Sequence, residues 1–426
     1  MATTESSPSS EPYDAIIVGG GPAGATAAWF LAKAGKRALV IEKETFPRFH
    51  IGESLLPYNL PLFEEMGLMP ALRGAGFMEK YGAQFVLPDG SQRAEIEFGK
   101  GRFTDQPMSY QVERSKFDDI LLRHAEAAGV EVREGMSVKD FQIEEGTGVT
   151  VTAQNGGPPE DFRAKFLIDA SGTANLTGNR EGLKEGYGNH RKFAIYGHFT
   201  GIPLPEDSRK RGDILIYRLK DAWFWFIPLS DDKVSLGMVV DRSVLQSRDL
   251  TPEERFGETV ARCPELRDRL ARAERVGPLR TIADFTYHNR RFVSPHLVRI
   301  GDAAGFLDPI FSSGVFLAMQ TGKSGAVEVA AAIDQNLAIT PGLRRYEKRT
   351  RRYLRTYFEM IENFYRQPFI DFLFQTDGKW GMPDAVVAIL AGQLDGGWSV
   401  RWRLRLFFLL VKLQARFPVV ERLRID

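Results

Sequence analysis

The spacing of apolar residues along the chain predicts two kinds of structural unit. Residues 13–18 are a short apolar run rich in β-branched side chains, a run of glycines follows, and the small residues over 25–34 have the pattern of a helix. With the next apolar run at 37–41, the N-terminal part predicts strand, turn, helix and strand. Residues 84–98 and 192–241 alternate apolar and polar positions between turn signals, a pattern typical of antiparallel sheet.

Helices are also predicted over 115–129 and 314–335, and beyond residue 337 the pattern becomes helical, with many Arg, Tyr and Phe residues. Together these elements predict an α/β fold. In it, a discontinuous Rossmann-type domain is interleaved with an antiparallel sheet that forms a substrate chamber, and a helical C-terminal segment follows.

The predicted domain organisation has a disordered tail at residues 1–12, a core at 13–337 and a helical region at 338–426. The core divides into Rossmann segments near 13–80, 114–175 and 290–337 and sheet segments near 81–113 and 176–289.

Composition narrows the class of protein. A chain of 426 residues exceeds what one hydrophobic core usually supports, and a net charge of +1 gives no reason to expect a nucleic-acid partner. Cys263 is the only cysteine, so no intrachain disulfide is possible, and the first twelve residues lack the features of a signal peptide. No apolar run reaches the ~18 residues that span a bilayer. We expect a cytoplasmic enzyme with no membrane partner and no metal site.

The glycine run Gly19-Gly20-Gly21-Pro22-Ala23-Gly24 lies between the first predicted strand and helix, which is the context of a dinucleotide-binding motif. There Gly19 permits a tight turn, Gly21 lets the backbone approach a pyrophosphate, and Gly24 lets helix and strand pack closely, while the helix N-terminus offers N–H donors. Glu42 ends the next strand, where a carboxylate binds a ribose hydroxyl. A glycine-rich loop without a ligand is the alternative.

The C-terminal half indicates which dinucleotide is bound. The strand 297–300 ends in Gly301-Asp302, followed by a turn with Pro309 and a helix. This arrangement resembles the second FAD motif of the glutathione-reductase-like flavoproteins, in which an acid equivalent to Asp302 holds the ribityl chain. Segments 111–114, where Arg114 opens a helix, and 167–172 look like accessory FAD contacts. Either segment can equally be structural, because arginines cap helices and Asp-Ala-Ser-Gly forms turns.

Four segments, in this order along the chain, resemble those of flavin-dependent halogenases: Phe46–Pro57 with Gly52-Glu53-Ser54, Phe77–Ala83, Trp223–Pro228 and Gly301–Gly314. The resemblance implies an enzyme that takes FAD in its reduced form from a separate flavin reductase. With oxygen and chloride or bromide, members of that family form hypohalous acid and pass it through a tunnel to a substrate held elsewhere. No segment resembles a nicotinamide-binding domain.

The resemblance also assigns roles to individual residues. Lys80 matches the lysine that directs the halogen to one carbon, although most lone lysines are simply solvated. The amides of Ser313 and Gly314 match the halide site; alternatively, their turn only stabilises the reduced flavin or caps a helix. The tunnel-wall residues, which can equally be sheet core, are Trp223, Trp225, Ile227 and Pro228. The cofactor-binding residues are Gly19, Gly21, Ala23, Gly24, Glu42, Arg48, Ser54, Arg114, Asp302, Pro309, Gly314 and Val315.

One position departs from the tryptophan halogenases, which carry a glutamate just before their serine-threonine-glycine stretch. Here that position is Phe311, which disfavours an indole substrate and favours a small aromatic phenol or pyrrole, free or tethered to a carrier protein. Two other functions stay open: a reductase or dehydrogenase resembling geranylgeranyl reductases, and a flavoprotein without turnover. For the C-terminal helices the options are a lid, a docking surface for an acidic carrier protein, an interfacial membrane anchor, or packing against the FAD domain.

Overall fold

The structure, a computed structural model, describes residues 12–144, 146–187, 191–242, 250–283, 286–375, 382–394 and 397–423. The predicted tail lies outside the described residues except for Pro12.

The Rossmann-type half is built on a sheet of eight strands among the described residues. Five strands run parallel in the order β19, β10, β1, β2 and β7, while β18 and the β8–β9 pair add antiparallel edges. The strands are β1 Tyr13–Val18, β2 Ala38–Ile41, β7 Glu131–Arg133, β8 Ser137–Glu144, β9 Gly148–Gln154, β10 Glu160–Asp169, β18 Val293–Ser294 and β19 Leu297–Arg299. Strand β1 has the predicted bounds, because its apolar run is buried along its length.

The second large sheet has seven strands in the order β16, β12, β15, β14, β13, β4 and β5. These are β4 Gly82–Val86, β5 Arg93–Glu97, β12 Lys192–Thr200, β13 Ile214–Arg218, β14 Ala222–Pro228, β15 Val234–Asp241 and β16 Glu274–Ala283. The predicted antiparallel pairing holds within each of the two predicted segments, but β4 and β13, which join them, run parallel. Local alternation carries no information on how two distant segments pair.

Two smaller sheets are also present among the described residues. Strand β3, Met78–Lys80, pairs with β6, Ser109–Gln111. A three-stranded sheet contains β11 Lys184–Gly186, β17 Tyr287–Asn289 and β20 Gly305–Phe306.

The helices of the core include α1, which packs against α9 beside the parallel sheet. The core helices are α1 Pro22–Lys33, α2 Leu60–Met66, α3 Met69–Gly74, α4 Arg114–Ala127, α5 Leu176–Arg180, α6 Ser208–Arg211, α7 Pro252–Ala261, α8 Pro264–Arg269 and α9 Gly314–Asp334. Short 3-10 turns occupy Pro57–Asn59, Phe98–Lys100, Gly172–Ala174, Gly301–Ala303 and Pro309–Phe311.

The C-terminal region is helical, as predicted, with α10 Pro341–Phe364, α11 Gln367–Gln375, α12 Met382–Ala391 and α13 Gly397–Arg416. Helix α13 buries Leu404, Phe407 and Val411 and packs on α11 and α12, with the rings of Phe369 and Phe407 5.5 Å apart edge to face. Its arginines such as Arg405 face water. The structure therefore shows α13 packed by its apolar face. No helix within the described ranges combines the length and apolar character needed to cross a bilayer.

The seven-stranded sheet has a core on each face. Trp223, Trp225 and Ile227 point into the large core shared with the Rossmann half, as their spacing predicts. Phe224 and Phe226 point the other way, into a second core covered by α7 and α8. The tryptophan face, formed by Trp223, Trp225 and Ile227, is thus the surface that the sheet turns toward the Rossmann-type half.

Candidate active site

A cavity of about 640 Å³ lies between the ends of the parallel strands and the tryptophan face. Its wall contains most of the predicted site residues: Gly19, Gly21, Ala23, Glu42, Arg48, Ser54, Arg114, Trp223, Trp225, Ile227, Asp302, Pro309, Gly314 and Val315. Gly24, Lys80, Pro228 and Ser313 are not part of this wall. Residues more than 290 positions apart in sequence therefore meet around one space.

The glycines of the motif have two different roles: Gly19 and Gly24 allow close packing, whereas Gly21 faces the cavity. Gly19 has φ +106°, and a Cβ there would lie 2.4 Å from the carbonyl oxygen of Ala170. A Cβ on Gly24 would lie 1.9 Å from the carbonyl oxygen of Gly19. At Gly21 the nearest atom is 3.5 Å away, on the side chain of Arg48. The backbone at Gly21 is therefore exposed to the cavity, and this cradle at a helix N-terminus fits the pyrophosphate of FAD.

Glu42 stands at the end of β2, beside the glycine turn, and is almost fully buried. Its carboxylate accepts hydrogen bonds from the backbone N–H of Gly20 at 2.6 Å and of Glu44 at 2.9 Å. The two amides fix the carboxylate at the cavity wall, where further lone pairs are available to a ribose hydroxyl.

Two predicted cofactor contacts, Arg48 and Arg114, share one buried carboxylate that the sequence prediction missed. Asp118 accepts from Arg114 at 2.7 and 2.9 Å and from Arg48 at 3.1 Å. Arg114 also donates to the carbonyl oxygens of Ile51 and Gly52. Arg114 therefore clamps the 51–52 backbone against the cavity. The spacing of four residues between Arg114 and Asp118 on one helix could have indicated their pairing.

Asp302 lies at the cavity wall directly after the last parallel strand. Burial raises the pKa of its carboxyl to about 7, and the positive charge of Arg114 opposes the rise. The loop that follows contains Ser312 with φ +54°, and helix α9 begins at Gly314. The first amides of a helix have no intrahelical acceptor, so this end of α9 favours an anion. Gly314 lies at the wall, whereas the buried Ser313 lies behind it.

The tryptophan wall is held by a hydrogen-bond chain. Trp223 Nε1 donates to the hydroxyl of Tyr365 at 2.8 Å, and this hydroxyl donates to Asp308 Oδ2 at 2.6 Å. Burial raises the pKa of Asp308 to about 6, while the hydrogen bond from Tyr365 acts in the opposite direction. Trp225 Nε1 donates to Ser235 at 3.2 Å. Asp308 and Tyr365 were not predicted as site residues, because no local pattern connects residues 57 positions apart.

Pro228 ends strand β14 and is buried away from the cavity wall. The rings of Trp223 and Trp225 lie 5.8 Å apart, so two indoles form one continuous face. The wall that the structure supports is therefore Trp223, Trp225 and Ile227, while Pro228 only terminates their strand.

Lys80 is not a solvated lysine. Only 1 % of its surface is exposed, and Nζ donates to Ser54 Oγ at 2.9 Å and to the carbonyl oxygen of Leu55 at 3.1 Å. Ser54 is part of the cavity wall, so the amine lies one side chain behind that wall. Burial lowers the pKa of Lys80 to about 7, and the negative charge of Asp213 opposes this effect.

Glu53 is a further buried group that the list of predicted site residues omitted, although it belongs to the Gly52-Glu53-Ser54 motif. Its Oε1 lies 2.7 Å from His198 Nε2. Its Oε2 has no hydrogen-bond partner among the described residues, and the residue lines the cavity. A buried acceptor without a partner therefore lies in a residue of the cavity wall, at the space that the cofactor would fill.

A dinucleotide cradle, a strand-end acid and an aromatic wall around one cavity define an FAD-dependent oxidoreductase. The chain belongs to the tryptophan halogenase family, whose model matches residues 14–106 and 99–374. It is 33% identical to a 1H-pyrrole-2-carbonyl-[peptidyl-carrier protein] chlorinase from Pseudomonas fluorescens, over 91% of this chain and 91% of that protein.

Solved structures of similar proteins agree with this membership. The flavin-dependent brominase Bmp2 has a TM-score of 0.85 and 29% identity, covering 95% of this chain and 100% of that chain. A flavoprotein/dehydrogenase from Cytophaga hutchinsonii has a TM-score of 0.87 and 27% identity, covering 94% and 98%. The predicted family, fold class and flavin-dependent halogenase activity, with FAD as cofactor, are confirmed at the level of the family. The roles of individual residues remain predictions.

Proposed function

We propose that this enzyme uses FADH2, oxygen and chloride or bromide to halogenate an electron-rich aromatic ring, with Lys80 delivering the halogen. One observation carries the proposal: the Lys80 amine is enclosed by protein and hydrogen-bonded to Ser54, a residue of the cavity wall. An amine in that place lies one side chain from the cavity and apart from bulk water. Reduced FAD, when bound, supplies the electrons with which oxygen and halide become hypohalous acid.

The chain itself contributes binding, separation and direction. The glycine turn and Glu42 would hold the dinucleotide, and Asp302 its ribityl chain. The amides at the start of helix α9, at Ser313 and Gly314, would attract the halide. The paired indoles of the tryptophan wall exclude the aromatic substrate from the flavin. Lys80 then directs the electrophile to one carbon, whose proton leaves to a base.

The proposed substrate is a phenol or a pyrrole, either free or tethered to a carrier protein. Phe311 supports this class, because it replaces the glutamate expected for an indole substrate; its ring is buried 5.8 Å from that of Phe364. The similarity to a pyrrole-2-carbonyl-carrier chlorinase across nine-tenths of the chain supports it further. Such rings supply their own electron density, so the site needs less activation of the substrate.

A separate flavin reductase in the cytoplasm would supply FADH2, because no segment of the sequence resembles a nicotinamide-binding domain. The division of the core into Rossmann and sheet segments also remains our proposal.

The direct test of the activity is incubation with reduced FAD, oxygen and bromide together with phenols, pyrroles and indoles. Halogenated mass shifts on phenols or pyrroles are the expected result.

Replacing Lys80 tests its role. We expect Lys80→Met to abolish halogenated product while leaving FAD affinity and flavin reoxidation near the parent values, because methionine keeps most of the volume and removes the amine. Lys80→Ala should behave alike. Lys100→Met, at a lysine whose side chain is 76% exposed, is the matched control and should halogenate normally. Product from Lys80→Met at near the parent rate would show that Lys80 is structural.

A further inference from the structure

We propose that Asp213 is the charge partner of Lys80, a positioning residue that holds the amine as an oriented ammonium for halogen transfer. This inference rests on the proposed function, and it names the residue that controls the protonation state of Lys80. Lys80 makes its two hydrogen bonds to the neutral oxygens of Ser54 and Leu55. An ammonium has three N–H donors and a full charge, so these two contacts do not satisfy it.

Asp213 is 6% exposed and lies between helix α6 and strand β13. Its Oδ2 accepts from Gln84 Nε2 at 2.9 Å, and its Oδ1 has no hydrogen-bond partner among the described residues. The orientation of Gln84 is fixed, because its Oε1 accepts from Arg93 Nη1 at 2.6 Å. A flipped amide would direct two donors at each other and an oxygen at the carboxylate. Asp213 is therefore held as a hydrogen-bond acceptor.

The backbone around Lys80 is shaped to admit this carboxylate. A Cβ on Gly212, the residue before Asp213, would lie 1.9 Å from the carbonyl oxygen of Glu79. The loop of Asp213 thus packs directly on strand β3 beside Lys80. A Cβ on Gly82 would lie 3.1 Å from Asp213 Oδ1 and 2.4 Å from the carbonyl oxygen of Ile96. The glycine two positions after Lys80 therefore leaves space for the carboxylate.

Strand β6, which pairs with the strand of Lys80, contributes further hydrogen-bond acceptors. Lys80 lies directly opposite Ser109, and Gln111 anchors the Asp213 loop by donating to the carbonyl oxygen of Gly212 at 2.8 Å. Ser109 Oγ, Gln111 Oε1 and Asp213 Oδ1 are all buried without a partner in the described part of the chain. Buried oxygens without a donor are costly, so a positive charge near this segment would be stabilised by them.

The other charged groups around this segment each have a partner for at least one of their atoms. Their pairs are Glu53 Oε1 with His198, Glu79 with Tyr81, Glu95 with Lys210, and Arg93 with Glu265. The ring of Phe98 lies 5.3 Å from Lys80 Nζ and adds a weaker attraction for a cation. Asp213 is the carboxylate whose charge acts on Lys80, and this charge opposes the fall in the pKa of that amine caused by burial.

The test is Asp213→Asn, which keeps the shape and removes the charge. Without the carboxylate, the pKa of Lys80 should fall by about one to three units. We would measure it directly by NMR of protein containing lysine labelled with ¹³C at Cε, with Lys80→Met assigning the resonance. This measurement needs no substrate, so it stands whether or not the proposed halogenation is found. Asp231→Asn, at a 79% exposed carboxylate, is the control and should leave the Lys80 titration unchanged.

The effect of Asp213→Asn on product formation follows from the loss of the Asp213 charge. If the ammonium is the working form, product formation falls as pH rises through the pKa of Lys80. Asp213→Asn should then lose product at pH values where the parent is active and regain it at lower pH. Asp213→Glu should recover part of the parent profile, and flavin occupancy should report folding in each variant. An unchanged Lys80 titration in a folded Asp213→Asn protein, or a rise in its pKa, overturns the inference.

Discussion

Gly21 and Gly24 belong to one motif, but Gly24 is required for packing and Gly21 for the space of the cofactor. A Cβ on Gly24 would lie 1.9 Å from a backbone oxygen, so Gly24→Ala must displace the helix from the strand. We expect a loss of stability of about 1–3 kcal/mol. Gly21 meets nothing closer than 3.5 Å, so Gly21→Val should fold normally. It should nevertheless lose nearly all bound FAD, because its side chain occupies the space of the pyrophosphate.

Thermal unfolding and flavin absorbance separate these two effects. Gly21→Val is expected to have an empty cofactor site and to unfold at the temperature of the FAD-free parent, whereas Gly24→Ala should unfold at a lower temperature. Full flavin occupancy in Gly21→Val would refute the placement of the pyrophosphate.

For single residues, the sequence predicts a role where that role depends on the neighbouring residues in the chain. The glycines, Glu42 and Asp302 sit in a strand–turn–helix or strand-end context, and the structure brings all but Gly24 to the cavity. Asp213 and Asp308 could not be found in that way. Their partners Gln84 and Tyr365 are 129 and 57 positions away, so only the fold creates the pairs.

Between elements, Tyr365 joins the end of helix α10 to strand β14 and to the loop of Asp308. Tyr365→Phe would leave the indole N–H of Trp223 without its acceptor and Asp308 Oδ2 without its donor. We expect a loss of about 1–3 kcal/mol in the free energy of unfolding. Tyr187→Phe is the matched control, because its ring stacks on Phe358 while no hydrogen bond of its hydroxyl is found in the described ranges.

The loss should depend on pH. The folded pKa of Asp308, about 6, lies above its ordinary value of 3.8, so the folded state holds the proton more tightly. Stability from this group is therefore fully present at low pH and declines as pH rises through about 4 to 6. Removing the Tyr365 donor raises that pKa further. Tyr365→Phe should be more destabilising at pH 8 than at pH 5 in denaturant titrations; an equal loss at both would contradict the role given to Asp308.

Sequence patterns also predict single elements better than their pairing. The bounds of β1 and the facing of Trp223 and Trp225 follow from local periodicity. Strand β16 was not singled out, because its exposed residues do not alternate. The parallel contact of β4 with β13 depends on a crossover of more than 100 residues, on which no turn signal bears.

For the whole molecule, the source of electrons distinguishes the proposed halogenase from a second candidate. That candidate is the reductase or dehydrogenase that the sequence left open, which would take electrons directly from a nicotinamide. The sequence supplies one dinucleotide glycine motif, Gly19 to Gly24, and its cradle opens on the cavity assigned to FAD.

NADPH alone should therefore not bleach the bound flavin, whereas a flavin reductase with NADPH should restore turnover. Stopped-flow absorbance of the FAD-loaded protein, mixed anaerobically with NADPH, measures this directly. Dithionite is the control, because it reduces any accessible flavin without a nicotinamide site and so proves that the bound FAD is competent. Reduction by NADPH as fast as by dithionite, in a protein that yields no halogenated phenol or pyrrole, would favour the dehydrogenase. We expect slow or absent reduction by NADPH and formation of product once the reductase is added. The reason is that the single glycine cradle is assigned to FAD, which leaves no such cradle for a nicotinamide.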